Sequence, residues 1–196
     1  MRSSLILLFF CSVYSAPLDF TDMLGEKCQD AAEKIKLTQC APMITEFGQK
    51  SMIIDPEAKV GDPKIVSLIS LCKKLMICIE PTCLSETVKD TTYVTCTGIE
   101  LKNTELGSCI TKIEKEKPDM SKHTCMGPED YSNGVIQLGM YISNQECLRS
   151  VLQNYCGEKS IENFDADIQK AAKMAQVTQS IVSQLFAGNS TNGWMK

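Results

Sequence analysis

Cysteine is the residue type whose number and spacing in this chain carry the most chemistry. Eleven cysteines occur, and Cys11 lies in an N-terminal apolar run that we expect to be removed. The ten that remain are Cys28, Cys40, Cys72, Cys78, Cys83, Cys96, Cys109, Cys125, Cys147 and Cys156. An even number in a secreted chain predicts a disulfide framework, whose connectivity the sequence leaves open. Metal ligation would need Cys-x-x-Cys knuckles or histidine ligands at fixed spacing, and neither occurs.

The sequence contains few residues that could carry out catalysis. His123 is the single histidine, so a Ser-His-Asp or Cys-His site would depend on it. It lies in a polar stretch after Pro118, which is typical of an exposed loop. No nucleophile elbow, zinc-binding helix, phosphate-binding loop or dinucleotide fingerprint is present. Acidic residues are numerous, but nothing singles out a catalytic pair of carboxylates. We therefore expect no enzymatic activity, no metal and no cofactor.

The first residues have the layout of a secretory signal peptide. Arg2 precedes a short apolar run, and small residues follow it. The run is shorter than the roughly 20 apolar residues that a transmembrane helix needs. Cleavage after Ser15 places Val13 three positions before the cut, whereas cleavage after Ala16 would place bulky Tyr14 there. The sequence therefore predicts a signal peptide over residues 1–15 and a secreted, extracellular protein without a membrane span.

The net charge limits which partners are expected, and the C-terminal sequence indicates where the domain ends. Loss of Arg2 leaves 19 of the 20 basic residues against 24 acidic ones, a net charge of −5. A mildly acidic surface with Arg149 as its only arginine argues against nucleic-acid partners. We expect one domain over residues 16–188 and a flexible tail over residues 189–196. Asn189 begins an Asn-Ser-Thr sequon and is the predicted glycosylation site.

Apolar residues at helical spacing predict that helices hold the first cysteines. One helix is predicted from Phe20 to Ile35, with Cys28 on its apolar face. Residues 48–61 contain a proline and two glycines and are predicted to form a loop. Asp62 and Pro63 then provide a cap and a first helical residue. The helix that follows is apolar on most sides, which indicates a central position.

The middle of the chain is less clear in its local preferences. Residues 91–99 have strand propensity, yet helical spacing continues on both sides of them. We favour helices that are broken near Gly98 and Asn103. The charged run from Lys112 to Lys117 is predicted to be a solvated helical face that ends at Pro118.

Two further helices are predicted near the C-terminus. Residues 143–146 have the Ser-x-x-Glu spacing of a capping box, and Gly157 suits the cap at the other end. The last helix is predicted to begin at Ser160 and to end at Gly188. It carries no cysteine, so that packing alone must hold it in place. Together these patterns predict an all-α, disulfide-stapled single domain.

Cysteine spacing also carries a family resemblance. Cys72, Cys78 and Cys83 form a helical cluster, and three further cysteines follow at intervals of 13 to 16 residues. Eight residues separate Cys147 from Cys156, after which Gly-Glu-Lys leads into a helix. This rhythm resembles a secreted cysteine-rich family, known mainly from nematodes, that is catalogued as domain of unknown function 19. The resemblance implies an extracellular disulfide-bonded module without known enzymatic activity, and it supplies no catalytic residue.

Two functions are compatible with these expectations. The first is a non-enzymatic extracellular module that binds a protein partner through its variable loops, such as residues 48–61 or 118–132. The alternative is a carrier that encloses a small apolar ligand in a helical cavity, an architecture found in insect odorant-binding proteins. An exposed apolar surface would favour the first function, and a large dry cavity would favour the second.

Overall fold

The structure is a computed structural model that describes residues 26–55, 58–119 and 144–189. The described elements are two short 3-10 helices, η1 Glu26–Gln29 and η2 Glu158–Ile161, and the α-helices α1 Ala31–Ser51, α2 Pro63–Ile79, α3 Glu86–Lys102, α4 Glu105–Glu116, α5 Gln145–Cys156 and α6 Phe164–Asn189. These ranges contain no β-strand, and four disulfides connect the helices. The predicted all-α, disulfide-stapled fold is therefore confirmed.

The first α-helix of the described residues begins at Ala31, and residues 20–25 of the helix predicted from Phe20 lie outside the described residues. Asp30 caps α1 by accepting a hydrogen bond from the backbone N–H of Ala32 at 2.7 Å, so that the helix begins at Ala31. Its buried residues are Cys40 and Phe47, and Ile35 is 60% exposed. The prediction that Ile35 lies on a buried face is wrong, because five residues rotate a helix by about 140° and turn Ile35 away from Cys40.

Helix α2 begins as the local sequence dictates. The Asp62 carboxylate accepts a hydrogen bond from the N–H of Lys64 at 2.8 Å, and Pro63 occupies the first turn. The helix ends at Ile79, shortly before Pro81. It packs against α1 on one side and α3 on another. Helix α3 packs against α2, α4 and α6 and is therefore the more central helix, so the predicted central position of α2 is wrong. The preceding loop is shorter than predicted, because α1 continues to Ser51.

A single helix spans the region for which the sequence favours two. Helix α3 runs without interruption through Gly98, so the predicted break there is wrong. A glycine inside a helix costs about 1 kcal/mol, which packing readily offsets. Helix α6 lies along α3, and a side chain at Gly98 would meet the Met174 sulfur at 3.9 Å. The predicted break at Asn103 is confirmed, and Thr104 caps α4 by accepting from the N–H of Gly107 at 3.1 Å.

The ends of α4 and α5 follow the predicted chemistry only in part. Lys117 adopts a left-handed conformation with φ 44° after α4, and the charged side chains before it are exposed or half-buried, as predicted. Helix α5 is capped by Asn144 without a side-chain hydrogen bond. The cap therefore lies one residue beyond the start of the predicted capping box, whose Ser143 is outside the described residues. Gly157 ends α5 with φ 83°.

The last helix begins later than predicted, because Ser160 has another role. Ser160 is buried in η2, where its hydroxyl contacts the carbonyl oxygens of Leu152 at 3.1 Å and Gly157 at 2.7 Å. These contacts fix a tight corner between α5 and α6 instead of capping α6. Helix α6 therefore begins at Phe164, and it ends at Asn189, one residue beyond the predicted Gly188.

Two clusters of buried side chains form the described core. The N-terminal cluster comprises Cys40, Phe47, Leu68, Leu71, Cys72, Leu75, Ile79, Leu84 and Cys96. The C-terminal cluster comprises Leu101, Leu106, Cys109, Ile113, Leu148, Val151, Leu152, Phe164, Ile168 and Ala171. Helix α3 contributes to both clusters, since Cys96 lies in the first and Leu101 in the second. The long helix α6 packs along α3 and so joins the two halves of the molecule.

Candidate functional site

Four disulfides connect eight of the cysteines for which the sequence predicts bridges. The pairs are Cys28–Cys83, Cys40–Cys78, Cys72–Cys96 and Cys109–Cys156. Their Cα–Cα distances lie between 4.9 and 5.8 Å, within the ordinary range for disulfides. Three pairs lie within residues 28–96 and one within residues 109–156. None of these four pairs connects the N-terminal cluster to the C-terminal cluster.

The other predicted site residues can be located only in part. Cys147 is also disulfide-bonded, and its partner lies outside the described residues. Cys125 lies outside the described residues, as do the predicted signal peptide and His123. Asn189 is the last residue of α6, whereas the sequence predicts that it begins a flexible tail. Glycosylation of Asn189 and removal of residues 1–15 stay predictions.

Helix α2 is covered on two of its three sides. Cys78 on one side is bonded to α1, and Cys72 on a second side is bonded to α3. At about 100° per residue, Cys78 and Cys72 point about 120° apart, and Val66 points about 120° from both. Val66 is 48% exposed, and Ile77 on the same third side is 76% exposed. This apolar face of α2 is therefore exposed in the part of the chain that the structure describes.

Large apolar side chains are exposed mainly on the N-terminal half of the molecule. Those that belong to α1, α2 and the connection between them are Ile35, Ile44, Met52, Ile53, Val60, Val66 and Ile77. Only Val182 of the exposed set in the described residues lies elsewhere, on α6. Single exposed apolar residues are common on protein surfaces, but their concentration in one half is informative. The sequence signal was the apolar character of α2 on most of its sides.

A small ion network joins α3, α4 and α6. The ammonium group of Lys170 lies 3.0 Å from a carboxylate oxygen of Glu100 and 4.0 Å from one of Asp167. Asp167 is 4% exposed, whereas the other two side chains are half-exposed. Burial raises the pKa of the Asp167 carboxyl, against the opposing effects of the Lys170 charge and a hydrogen bond with Thr104, while nearby Glu100 adds to the increase. Nothing in the sequence predicts this network, because it depends on the packing of three helices.

The described residues contain few other groups that could form a functional site. Burial also raises the pKa of Glu114 on α4, against the effect of the Lys102 charge. Within the described ranges, no three His, Cys, Asp or Glu side chains converge to hold a metal ion. None of the helices that the structure describes combines the length and apolar character that a membrane crossing needs. Lys170 is already paired with two carboxylates, those of Glu100 on α3 and Asp167 on α6. We therefore interpret the network around Asp167 as a link between helices.

A single protein-family model covers the part of the chain that contains these features. The model of the family described as domain of unknown function (DUF19) matches residues 28–178. The chain belongs to this family. The matched range includes the four disulfides, both core clusters and the ion network of this DUF19 chain. No curated protein and no solved structure matches the chain.

Membership agrees with the resemblance that the cysteine spacing indicates. The DUF19 description assigns no activity, so the function of this chain must be argued from its own residues. Two features of the described DUF19 residues invite such an argument. One is the buried Asp167 with its lysine, and the other is the exposed apolar face of α2 between the disulfides to α1 and α3.

Proposed function

We propose that this DUF19 chain is a secreted, non-enzymatic extracellular module that binds a protein partner. The observation that carries the proposal is the concentration of exposed large apolar side chains on α1, α2 and their connection. Exposed apolar surface is the usual mark of a site that another molecule covers. The same half contains three of the four described disulfides, which fix the helices that carry this surface.

The disulfides support the extracellular part of the proposal. Bonds of this number persist in oxidising compartments and are rare in the cytosol. Their presence agrees with the predicted signal peptide over residues 1–15. A rigid scaffold also suits a binding module, because preformed surfaces lose less conformational freedom when a partner binds.

The alternative carrier function predicts a bound small molecule. The buried apolar side chains of the described residues form two clusters. Leu148, Val151 and Leu152 of the C-terminal cluster are fully buried. Such side chains pack against each other, whereas the residues that remain uncovered point outward from α1 and α2. The described arrangement therefore favours recognition on the surface over enclosure of a ligand.

The proposal is tested on protein secreted from eukaryotic cells and kept unreduced. Native mass spectrometry should show a bare chain that begins after Ser15, apart from any glycan at Asn189. The same protein, displayed as a pentamer, should then bind specific members of a panel of purified extracellular domains. Reduced and alkylated protein is the control, and it should lose that binding. A lipid-sized adduct that leaves on denaturation, together with no partner in the panel, would favour the carrier instead.

A further inference from the structure

We infer that the exposed face of α2 is the docking surface for an acidic amphipathic helix of the partner, an inference that rests on the proposed function. The residues of this face recur every three or four positions over about three turns, a length of roughly 17 Å. They are Val66, Ile69, Ser70, Lys73, Met76 and Ile77. The first and last of these are the exposed apolar residues described above. We call this set the α2 stripe.

The spacing of the α2 stripe suits a helical partner. Residues three and four apart form a continuous ridge along one side of a helix. Ile69 and Met76 are half-buried at the edge of the ridge, while Ser70 and Lys73 are exposed between the apolar positions. A second helix that lies along this ridge can place its own apolar residues between Val66 and Ile77, as helices do in coiled coils. This is the geometry of recognition through an amphipathic helix.

Charge determines which kind of helix fits. Helix α2 carries three exposed lysines, of which Lys73 lies in the α2 stripe, Lys74 lies beside it and Lys64 points away from it. The helix itself contains no acidic residue, and the flanking Asp62 and Glu80 lie beyond its two ends. None of these three lysines has a salt-bridge partner among the described residues. The whole chain has a net charge of −4, so this helix differs in sign from the protein that surrounds it. Complementary charge across an interface favours acidic residues on the partner helix.

The same charges argue against a second copy as the occupant. A two-fold dimer places the same surface of both subunits face to face. Two stripes that cross near their midpoints would bring Lys73 and Lys74 of one chain toward the same residues of the other. The acidic Asp62 and Glu80 lie at the ends of the helix, away from that crossing. An acidic helix of a different protein meets no such repulsion.

The test uses a synthetic acidic peptide as the probe. It has about three heptads with leucine at positions a and d and glutamate at e and g, and a matched peptide carries lysine at e and g. Fluorescence anisotropy with the full secreted protein should show binding of the glutamate peptide and little binding of the lysine peptide. Higher salt should weaken the binding, because exposed charges are screened.

Matched variants separate the α2 stripe from other exposed residues. Ile77→Ser should raise the Kd for the glutamate peptide by about tenfold, a typical loss when an interface anchor is truncated. Val182→Ser, which removes an exposed apolar side chain from α6 outside the N-terminal half, should leave the Kd unchanged. The double variant Lys73→Glu, Lys74→Glu should weaken glutamate-peptide binding by a similar factor and increase binding of the lysine peptide. The double variant Lys34→Glu, Lys112→Glu, at exposed positions on α1 and α4, changes the net charge by the same amount and is the matched control.

Several results would overturn the inference. These are equal binding of the two peptides, equal effects of Ile77→Ser and Val182→Ser, and a concentration-dependent dimer that Ile77→Ser dissociates. Binding to vesicles of anionic lipid without binding to either peptide would also refute it. A partner from the extracellular panel that still binds Ile77→Ser at full strength would refute the surface but leave the proposed function intact. Absence of any protein partner, with an apolar adduct present, would refute the function itself.

Discussion

The two halves of this molecule are stabilised in different ways. The N-terminal half contains three described disulfides, and three of its nine core residues are half-cystines, Cys40, Cys72 and Cys96. The C-terminal cluster contains one half-cystine, Cys109, and its central side chains Leu148, Val151 and Leu152 are fully buried. The exposed large apolar residues lie almost entirely on the N-terminal half. The comparison indicates that three disulfides reinforce the half that presents apolar surface. The C-terminal half also contains disulfide-bonded cysteines, Cys109, Cys147 and Cys156, but it depends more on the packing of fully buried side chains.

The largest effect is expected from a charge in the C-terminal cluster. Leu152 is 0% exposed, so that Leu152→Asp would bury a carboxylate without a partner, and we expect the domain to unfold. Leu152→Ala should lower the free energy of unfolding by about 2–5 kcal/mol. Ile35→Asp places the same charge on an exposed position of α1 and is the control. Circular dichroism during denaturation in urea measures all three, and a cooperative, stable Leu152→Asp protein would contradict the account.

The next largest effect concerns the disulfide between α2 and α3. Cys72→Ser combined with Cys96→Ser should lower the free energy of unfolding by about 2–5 kcal/mol and reduce the amount secreted, since both half-cystines lie in the N-terminal core and join α2 to α3. Removing both cysteines avoids a free thiol. Secretion yield and thermal melting measure the effect. Wild-type values for both would show that packing alone suffices in this half.

A smaller, opposite effect is expected at Asp167. Its folded-state pKa is raised by burial, so the ionised carboxylate lowers stability above that pKa. This loss disappears as the pH falls from the folded pKa toward about 3.9, the value in the unfolded chain. Asp167→Asn should therefore raise the Tm at pH 7, and the difference from wild type should vanish near pH 4. Glu162→Gln, at an exposed position just before the same helix, is the control. A lower Tm at pH 7 would show that the bond to Lys170 outweighs burial.

Local signals predicted much of this fold, and tertiary contacts decided the rest. Asp62-Pro63 and Gly157 act within one turn, so the sequence alone located the ends of their helices. Ser160 did not cap α6, because its hydroxyl is used in the corner after α5. The close corner at Gly107 was also not predicted. A side chain at this position would clash with the Leu101 carbonyl oxygen, so only glycine fits there.

The candidate surfaces were harder to predict than the helices. Cysteine count and spacing predicted bridges and the family, but the pairs depend on which helices become neighbours. Burial of Asp167 depends on three helices that meet in space, and nothing in its local sequence marks it apart from the buried Ile168 beside it. The exposure of Ile77 follows from the packing of α1 and α3 against the other two sides of α2.

Hydrogen exchange during stepwise reduction tests the contrast between the two halves most directly. Mass spectrometry would follow amide protection in the unreduced protein and after addition of increasing amounts of a phosphine reductant. The account predicts that α1 and α2 lose protection first, while the peptides of the C-terminal cluster, including α5 and the first turns of α6, stay protected. Loss of protection in the C-terminal cluster before or together with α1 and α2 would contradict it.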